Sequence, residues 1–226
     1  MQALYPRRIR SYACREKRLT PFQTRLWERE WPQYGLSSGP FDFDQIFERQ
    51  AARILEIGFG DGHSLLEMAK ASPEKDFIGI EVYSHGVASL LAGAAKAKLN
   101  NLRIVFKDAV EILTQSIPDG SLDCIQIFFA DPWPKTRHHK RRLIQPAFVS
   151  LLSRKLKQGG ILHLATDWED YARHMMLVIN QNNKFKNLAG DNAFIPRPSN
   201  RPLTKYERRA VEAGRGIVDL QFQHLV

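Results

Sequence analysis

The stretch R-I-L-E-I-G-F-G-D-G, Arg53 to Gly62, decides how this chain folds. Ile54, Leu55 and Ile57 make a short apolar run of strand length, and Gly58, Gly60 and Gly62 follow at alternate positions. His63 to Ser72 then reads as a helix that Pro73 stops. Strand, glycine turn and helix open a βαβ unit, and its turn lies at the carboxyl edge of the sheet, where open α/β folds bind ligands. Glycine suits such a turn because a side chain would hold the backbone away from a nucleotide, and because some turn positions require positive φ. The spacing G-x-G-x-G departs from the dinucleotide pattern G-x-G-x-x-G, which argues against NAD.

Two carboxylates sharpen the reading. Glu56 sits inside the apolar strand, where a charge is costly without a partner. Glu81 ends the next apolar run, Phe77 to Val82, about twenty residues after the glycines, where nucleoside-binding α/β folds place an acid for the ribose hydroxyls. The competing reading is a plain strand–turn–helix with Glu81 in solvent. As a set, the glycines and acids resemble the S-adenosylmethionine site of the Rossmann-like methyltransferases.

Outward from this core the alternation continues. Helices are expected over 84–99, 109–117, 145–156 and 168–180, and strands over 102–106, 122–130 and 161–166, with a last strand near 217–222. Asp167 is placed to cap the 168–180 helix. The expected architecture is a Rossmann-like, doubly wound α/β fold with a mostly parallel, seven-stranded sheet. Residues 1–50 are expected to be a basic N-terminal arm and linker, and 51–226 one methyltransferase domain. The arm carries Arg7, Arg8, Arg10, Arg15, Lys17 and Arg18 with Tyr5 and Tyr12 among them, a short helix is expected over 22–31, and Pro32 to Pro40 reads as linker. Such an arm is either a solvated tail or a strand of charge that follows a nucleic-acid backbone.

Composition bounds the function. The chain has 226 residues, 43% of them hydrophobic, and a formal net charge of +9. That balance suits a polyanionic partner, nucleic acid or an anionic membrane surface. No apolar segment reaches the roughly 18 residues that span a bilayer. Cys14 and Cys124 form no C-x-x-C, so a reduced, cytoplasmic compartment is the expectation.

D-P-W-P-K, residues 131 to 135, follows the expected fourth strand at the ligand edge. Pro132 and Pro134 hold the loop extended, fixing Asp131 and Trp133 beside the cofactor. In Rossmann-like enzymes that methylate nitrogen or bases, a [DNS]-P-P-[YFW] motif stands here; its first residue bonds the target and its aromatic stacks on the ring. Asp108, just past the third strand, is either an acceptor for the adenine amino group or a helix N-cap. K-T-R-H-H-K-R-R (135 to 142) has five permanent cations in eight residues and no acid. A run beside a binding edge favours phosphate contacts over a solvated face, and adjacent His138 and His139 without Cys or carboxylates at ligand spacing make no metal site.

With T-D-W-E-D-Y (166 to 171) and R-P-L-T-K-Y-E-R-R (201 to 209), these motifs resemble the bacterial tRNA (guanine-N7-)-methyltransferases of the TrmB type, from about Arg53 to the C-terminus. The chain departs from that pattern at Thr136, Tyr206 and Ala210, where lysine, phenylalanine and glycine are common. The resemblance implies methyl transfer from S-adenosylmethionine to N7 of guanosine 46 in the tRNA variable loop. It implies Asp131 as the catalytic residue and Glu56, Gly58, Gly60, Glu81, Asp108 and Asp131 as cofactor ligands. Lys135, Asp167, Thr204, Lys205, Tyr206 and Glu207 would hold the guanosine, and Arg137, His138, His139, Lys140, Arg141 and Arg142 would contact RNA. No metal, membrane or obligate protein partner is implied, and a monomer is expected rather than a homodimer. Two other readings stay open at this point. A methyltransferase acting on protein or small molecules would not require the basic run, and an RNA-binding protein with a vestigial cofactor fold would have lost the acids.

Overall fold

Arg53–Ile57 (β1) does form a central strand in the computed structural model, which describes residues 10–12, 18–37 and 39–226. Tyr5, Arg7, Arg8, Cys14, Arg15 and Lys17 lie outside the described residues. Ahead of β1 come α1 (Pro21–Tyr34) and the short α2 (Phe43–Phe47). After it follow α3 (His63–Ala71), β2 (Asp76–Glu81), α4 (Ser84–Ala97), β3 (Leu102–Phe106), α5 (Ala109–Gln115) and β4 (Leu122–Phe128). A 3-10 segment over Thr136–Arg141 leads to α6 (Pro146–Lys155), β5 (Leu156–Thr166), α7 (Glu169–Asn180), β6 (Phe185–Asn187), α8 (Lys205–Glu212) and β7 (Val218–His224).

The strands form one sheet of seven in the order β3-β2-β1-β4-β5-β7-β6. The first five pair in parallel, and β7 lies antiparallel to both β5 and β6. Helices cover both faces, as a sheet of buried parallel strands requires. On one face Leu55, Ile57, Ile78, Ile125 and Leu162 join the buried sides of α5, α6 and α7. On the other, Ile54, Phe77 and Ile104 pack with Leu65, Val87 and Leu91 of α3 and α4.

Several boundaries differ from the expectation for local reasons. β4 ends at Phe128 because Phe129 turns the chain with φ 54°. β5 starts earlier, at Leu156, and absorbs Gly159 and Gly160 where its register against β4 shifts. Asp167 does not cap α7: the N-cap is Trp168, whose backbone N–H donates to Thr166 Oγ1. The region expected as linker is packed structure. α1 begins in a capping box, with Gln23 N–H donating to Thr20 Oγ1 and Gln23 Oε1 accepting from Thr20 N–H, and it runs through Pro32. Trp27 and Trp31 stack at 4.9 Å, Trp27 meets Phe106 edge-on, and the Tyr34 hydroxyl donates to the Ala94 carbonyl of α4.

Candidate active site

The glycine turn is tight against its neighbours. Gly60 has φ 61°, and a Cβ there would lie 3.3 Å from the Tyr206 ring; a Cβ on Gly86 would meet the Gly60 carbonyl at 1.8 Å. Gly58 stands exposed at the mouth of this turn. The first turn of α4 and the start of α8 therefore close on the loop from two sides.

Glu81 anchors the turn from β2. One of its oxygens accepts the Gly60 N–H at 2.8 Å, and the other accepts the N–H groups of Val82 and Tyr83. Burial raises its pKa, the three N–H bonds oppose that, and the charge of Asp131 adds to the rise. Glu56 is more extreme. It is 2% exposed, its Oε2 has no hydrogen-bond partner, and burial first, then Glu81 and Asp61, push its pKa up to about 8. Beside it the buried Ser64 Oγ is also unpartnered. A narrow pocket is lined by Glu56, Gly58, Ser64, Phe128, Phe129 and Thr204 to Tyr206. Two orphaned polar atoms facing a pocket walled by a glycine turn are the features a cationic, nucleoside-bearing cofactor satisfies, so these residues fit S-adenosylmethionine. Asp108 is an N-cap, accepting from Val110 and Glu111 N–H at 2.9 and 3.2 Å through one oxygen.

Asp131 and Asp167 follow the adjacent strands β4 and β5 at the same edge. Asp131 is exposed, and its charge reaches both Glu81 and Tyr206. Burial and then Glu81, Asp131 and Asp61 raise the Tyr206 pKa, and its ring lies beside Gly60 at the glycine turn. Asp167 accepts from Arg215 Nε at 2.8 Å, an arginine that no sequence pattern pointed to.

Other expected residues are engaged differently. Trp133 adopts φ 45°, its Nε1–H donates to the Ser11 carbonyl, and the Arg141 guanidinium covers its ring at 3.5 Å. Stacking of that ring face on a target base is therefore replaced here by stacking on Arg141. Arg141 also donates to the Arg10 and Tyr12 carbonyls, so it holds the described part of the arm. Arg142 is buried, whereas Lys135, Arg137 and Lys140 are exposed and have no acidic partner among the described residues. His138 meets Trp133 edge-on, and desolvation and then the surrounding cations hold its pKa down. His139 Nε2 lies 3.0 Å from Arg142. No group of three potential metal ligands converges among the described residues.

The 201–209 motif is split in two. Lys205 and Tyr206 face the pocket and solvent, while the Thr204 hydroxyl accepts the Glu207 N–H as the cap of α8. Glu207, expected to hold guanosine, is 2% exposed and clamped by Arg197 and Arg201. Arg201 also pairs with Asp219 of β7, which bonds His163 of β5 at 2.8 Å. A buried carboxylate held by two guanidiniums is an anchor; it fixes the start of α8 against the sheet. Both guanidiniums lower the Glu207 pKa against the effect of burial.

A 3-2-1-4-5-7-6 sheet with a glycine turn after β1, an acid ending β2 and another in the loop after β4 is the class I methyltransferase fold. Solved structures bear out the fold: a 16S rRNA methyltransferase, KamB, superposes with a TM-score of 0.62 at 15% identity, covering 84% of this chain and 96% of that one. The [4+2]-cyclase SpnF shares the fold at a TM-score of 0.51 and 14% identity, covering 90% and 92%, so the fold alone does not choose the chemistry. Sequence does. A family described as "Putative methyltransferase" matches residues 50–220. The tRNA (guanine-N(7)-)-methyltransferase of Idiomarina loihiensis is 53% identical, over 97% of this chain and 90% of that protein. Its counterpart in Stutzerimonas stutzeri is 53% identical over 97% and 94%, and that of Shewanella sp. strain MR-4 is 50% identical over 98% and 94%. The chain belongs to the tRNA (guanine-N(7)-)-methyltransferase family.

Proposed function

We propose that the chain methylates N7 of guanosine 46 in the tRNA variable loop, acting as a monomer in the cytoplasm. Near-full-length similarity to enzymes named for guanine-N7 methylation supports the reaction, and the placement of Asp131 and Asp167 just past the adjacent strands β4 and β5, at the sheet edge that also holds the glycine turn, is the observation that carries it. S-adenosylmethionine supplies an electrophilic methyl on sulfonium. Guanine N7 already presents a lone pair at neutral pH, so no base is required to expose it. What remains is placement, the kind of orientation that contributes about 7–11 kcal/mol in favourable cases. Asp131 and Asp167 accept from guanine N1–H and N2–H₂ and offset the positive charge that the purine gains. Adenine lacks that pair of donors, which gives base choice. In this reading Arg215 yields Asp167 to the guanine, Glu207 holds Thr204 to Tyr206 at the pocket, and the basic arm follows the tRNA backbone. Mass analysis of tRNA nucleosides after incubation with enzyme and cofactor should show 7-methylguanosine at one variable-loop position. Its absence, or methylation of adenosine, refutes the proposal.

Two predictions belong to this site. Glu81→Ala removes an anion and leaves three backbone N–H groups without their acceptor, so cofactor affinity should fall roughly tenfold to a hundredfold, as charged hydrogen bonds are worth. Calorimetry giving an unchanged dissociation constant would remove Glu81 from the cofactor site. Arg137→Ala and Lys140→Ala each delete an exposed cation with no acidic partner among the described residues. Each should flatten the logarithmic salt dependence of tRNA binding by about 0.7–0.9 while leaving cofactor affinity alone. An unaltered slope in both variants means the run faces solvent and not phosphate.

A further inference from the structure

The last residue of the basic run is unlike the others. The Arg142 side chain is 1% exposed, and two of its three guanidinium nitrogens are committed to neighbouring groups. Nε donates to the Pro132 carbonyl at 2.9 Å, while one terminal nitrogen lies 3.0 Å from His139 Nε2 and bonds the Asp170 carboxylate. Its plane sits 5.0 Å over the Tyr171 ring. Pro132 belongs to the loop after β4, and Asp170 and Tyr171 belong to the first turn of α7, which follows β5. Arg142 therefore ties the loop that carries Asp131 to the first turn of α7, just after Asp167. A phosphate could reach it only by dismantling these contacts.

The carbonyl it holds is the one that needs holding. The peptide between Pro132 and Trp133 precedes a tryptophan at φ 45°, a backbone conformation that costs a bulky residue free energy and persists only where neighbours impose it. Proline on either side restricts the turn, and neither proline can donate to fix it. Arg142 supplies the missing tether, with the planar fork that a lysine lacks. We infer that Arg142 is a positioning residue, which sets the Asp131–Trp133 turn through the Pro132 carbonyl and takes no part in phosphate binding. The inference rests on the reading of Asp131 given above and removes Arg142 from the RNA-contacting set.

A double-mutant cycle between Arg142→Lys and Asp131→Asn, read by single-turnover methyl transfer with tRNA and cofactor saturating, tests it. Arg142→Lys should slow wild-type protein at least tenfold but slow the Asp131→Asn protein less than threefold, because the tether acts through the residue already changed. Cofactor affinity and the tRNA salt slope should both stay at wild-type values in Arg142→Gln, unlike Arg137→Ala. If the lysine variant does not fold, Asp170→Ala carries the same cycle, since it removes the acceptor that aligns the guanidinium on the Pro132 carbonyl while keeping the arginine. A rate within twofold of wild type, effects that multiply across the cycle, or a salt slope reduced in Arg142→Gln each overturn the inference. A wild-type rate in Asp131→Asn alone identifies the reading of Asp131 as the part that failed.

Discussion

Asp131→Asn should turn over on the order of 100-fold more slowly than the wild type in a single-turnover assay, the size of losing one electrostatic stabiliser in a preorganised site. The substitution keeps size and one acceptor. It deletes the negative charge that lies among Glu81 and Tyr206 at the edge of the sheet and offsets the cationic purine. The tRNA dissociation constant should move less than twofold, because phosphate contacts dominate affinity and this carboxylate addresses one base. A loss confined to the chemical step marks an interaction made in the transition state and not in the ground state. Since N7 needs no deprotonation, the saturated wild-type rate should also show no limb from a catalytic base near neutrality. Near wild-type turnover by Asp131→Asn would shift the role to Asp167.

How far the sequence alone leads differs between the sheet and the site. Ile54 to Ile57, Phe77 to Glu81 and Leu102 to Phe106 were legible because buried parallel strands are short continuous apolar runs punctuated by turns. The glycine turn and the acids behind it were legible for the same local reason. α1 had a local signal too, Thr20-Pro21 with Gln23 three residues on, a capping box with proline at the first helical position. Arg142 and Glu207 were not legible. Each stands in a motif with exposed cations, and only partners 28 residues away for Arg142 and in the 197–201 turn for Glu207 show that it is buried. Trp133 likewise reads as a stacking platform until the fold places Arg141 on its face. Charge in a sequence gives composition; whether a cation meets solvent or a carboxylate is decided by chain crossings that leave no period.

Glu56 yields the largest thermodynamic effect. Its pKa rises from the usual 4.5 to about 8, chiefly through burial, so the folded protein keeps a proton there that the unfolded chain releases. Between pH 4.5 and about 8 the native state binds more protons, and the stability this group contributes, complete below 4.5, is lost as pH rises through 8. Glu56→Gln has nothing to ionise. Its stability relative to the wild type should therefore climb by roughly 3–5 kcal/mol across that window, measured by urea unfolding at successive pH values. The same group should report the cofactor. An approaching cation favours the carboxylate, so binding at pH 7 should expel close to one proton per cofactor, seen as a heat that varies with the ionisation enthalpy of the buffer. The glutamine variant should bind more weakly and expel none. Proton release that persists in Glu56→Gln, or that is absent in the wild type, would mean that Glu56 stays neutral beside the bound cofactor and holds it by hydrogen bonding alone.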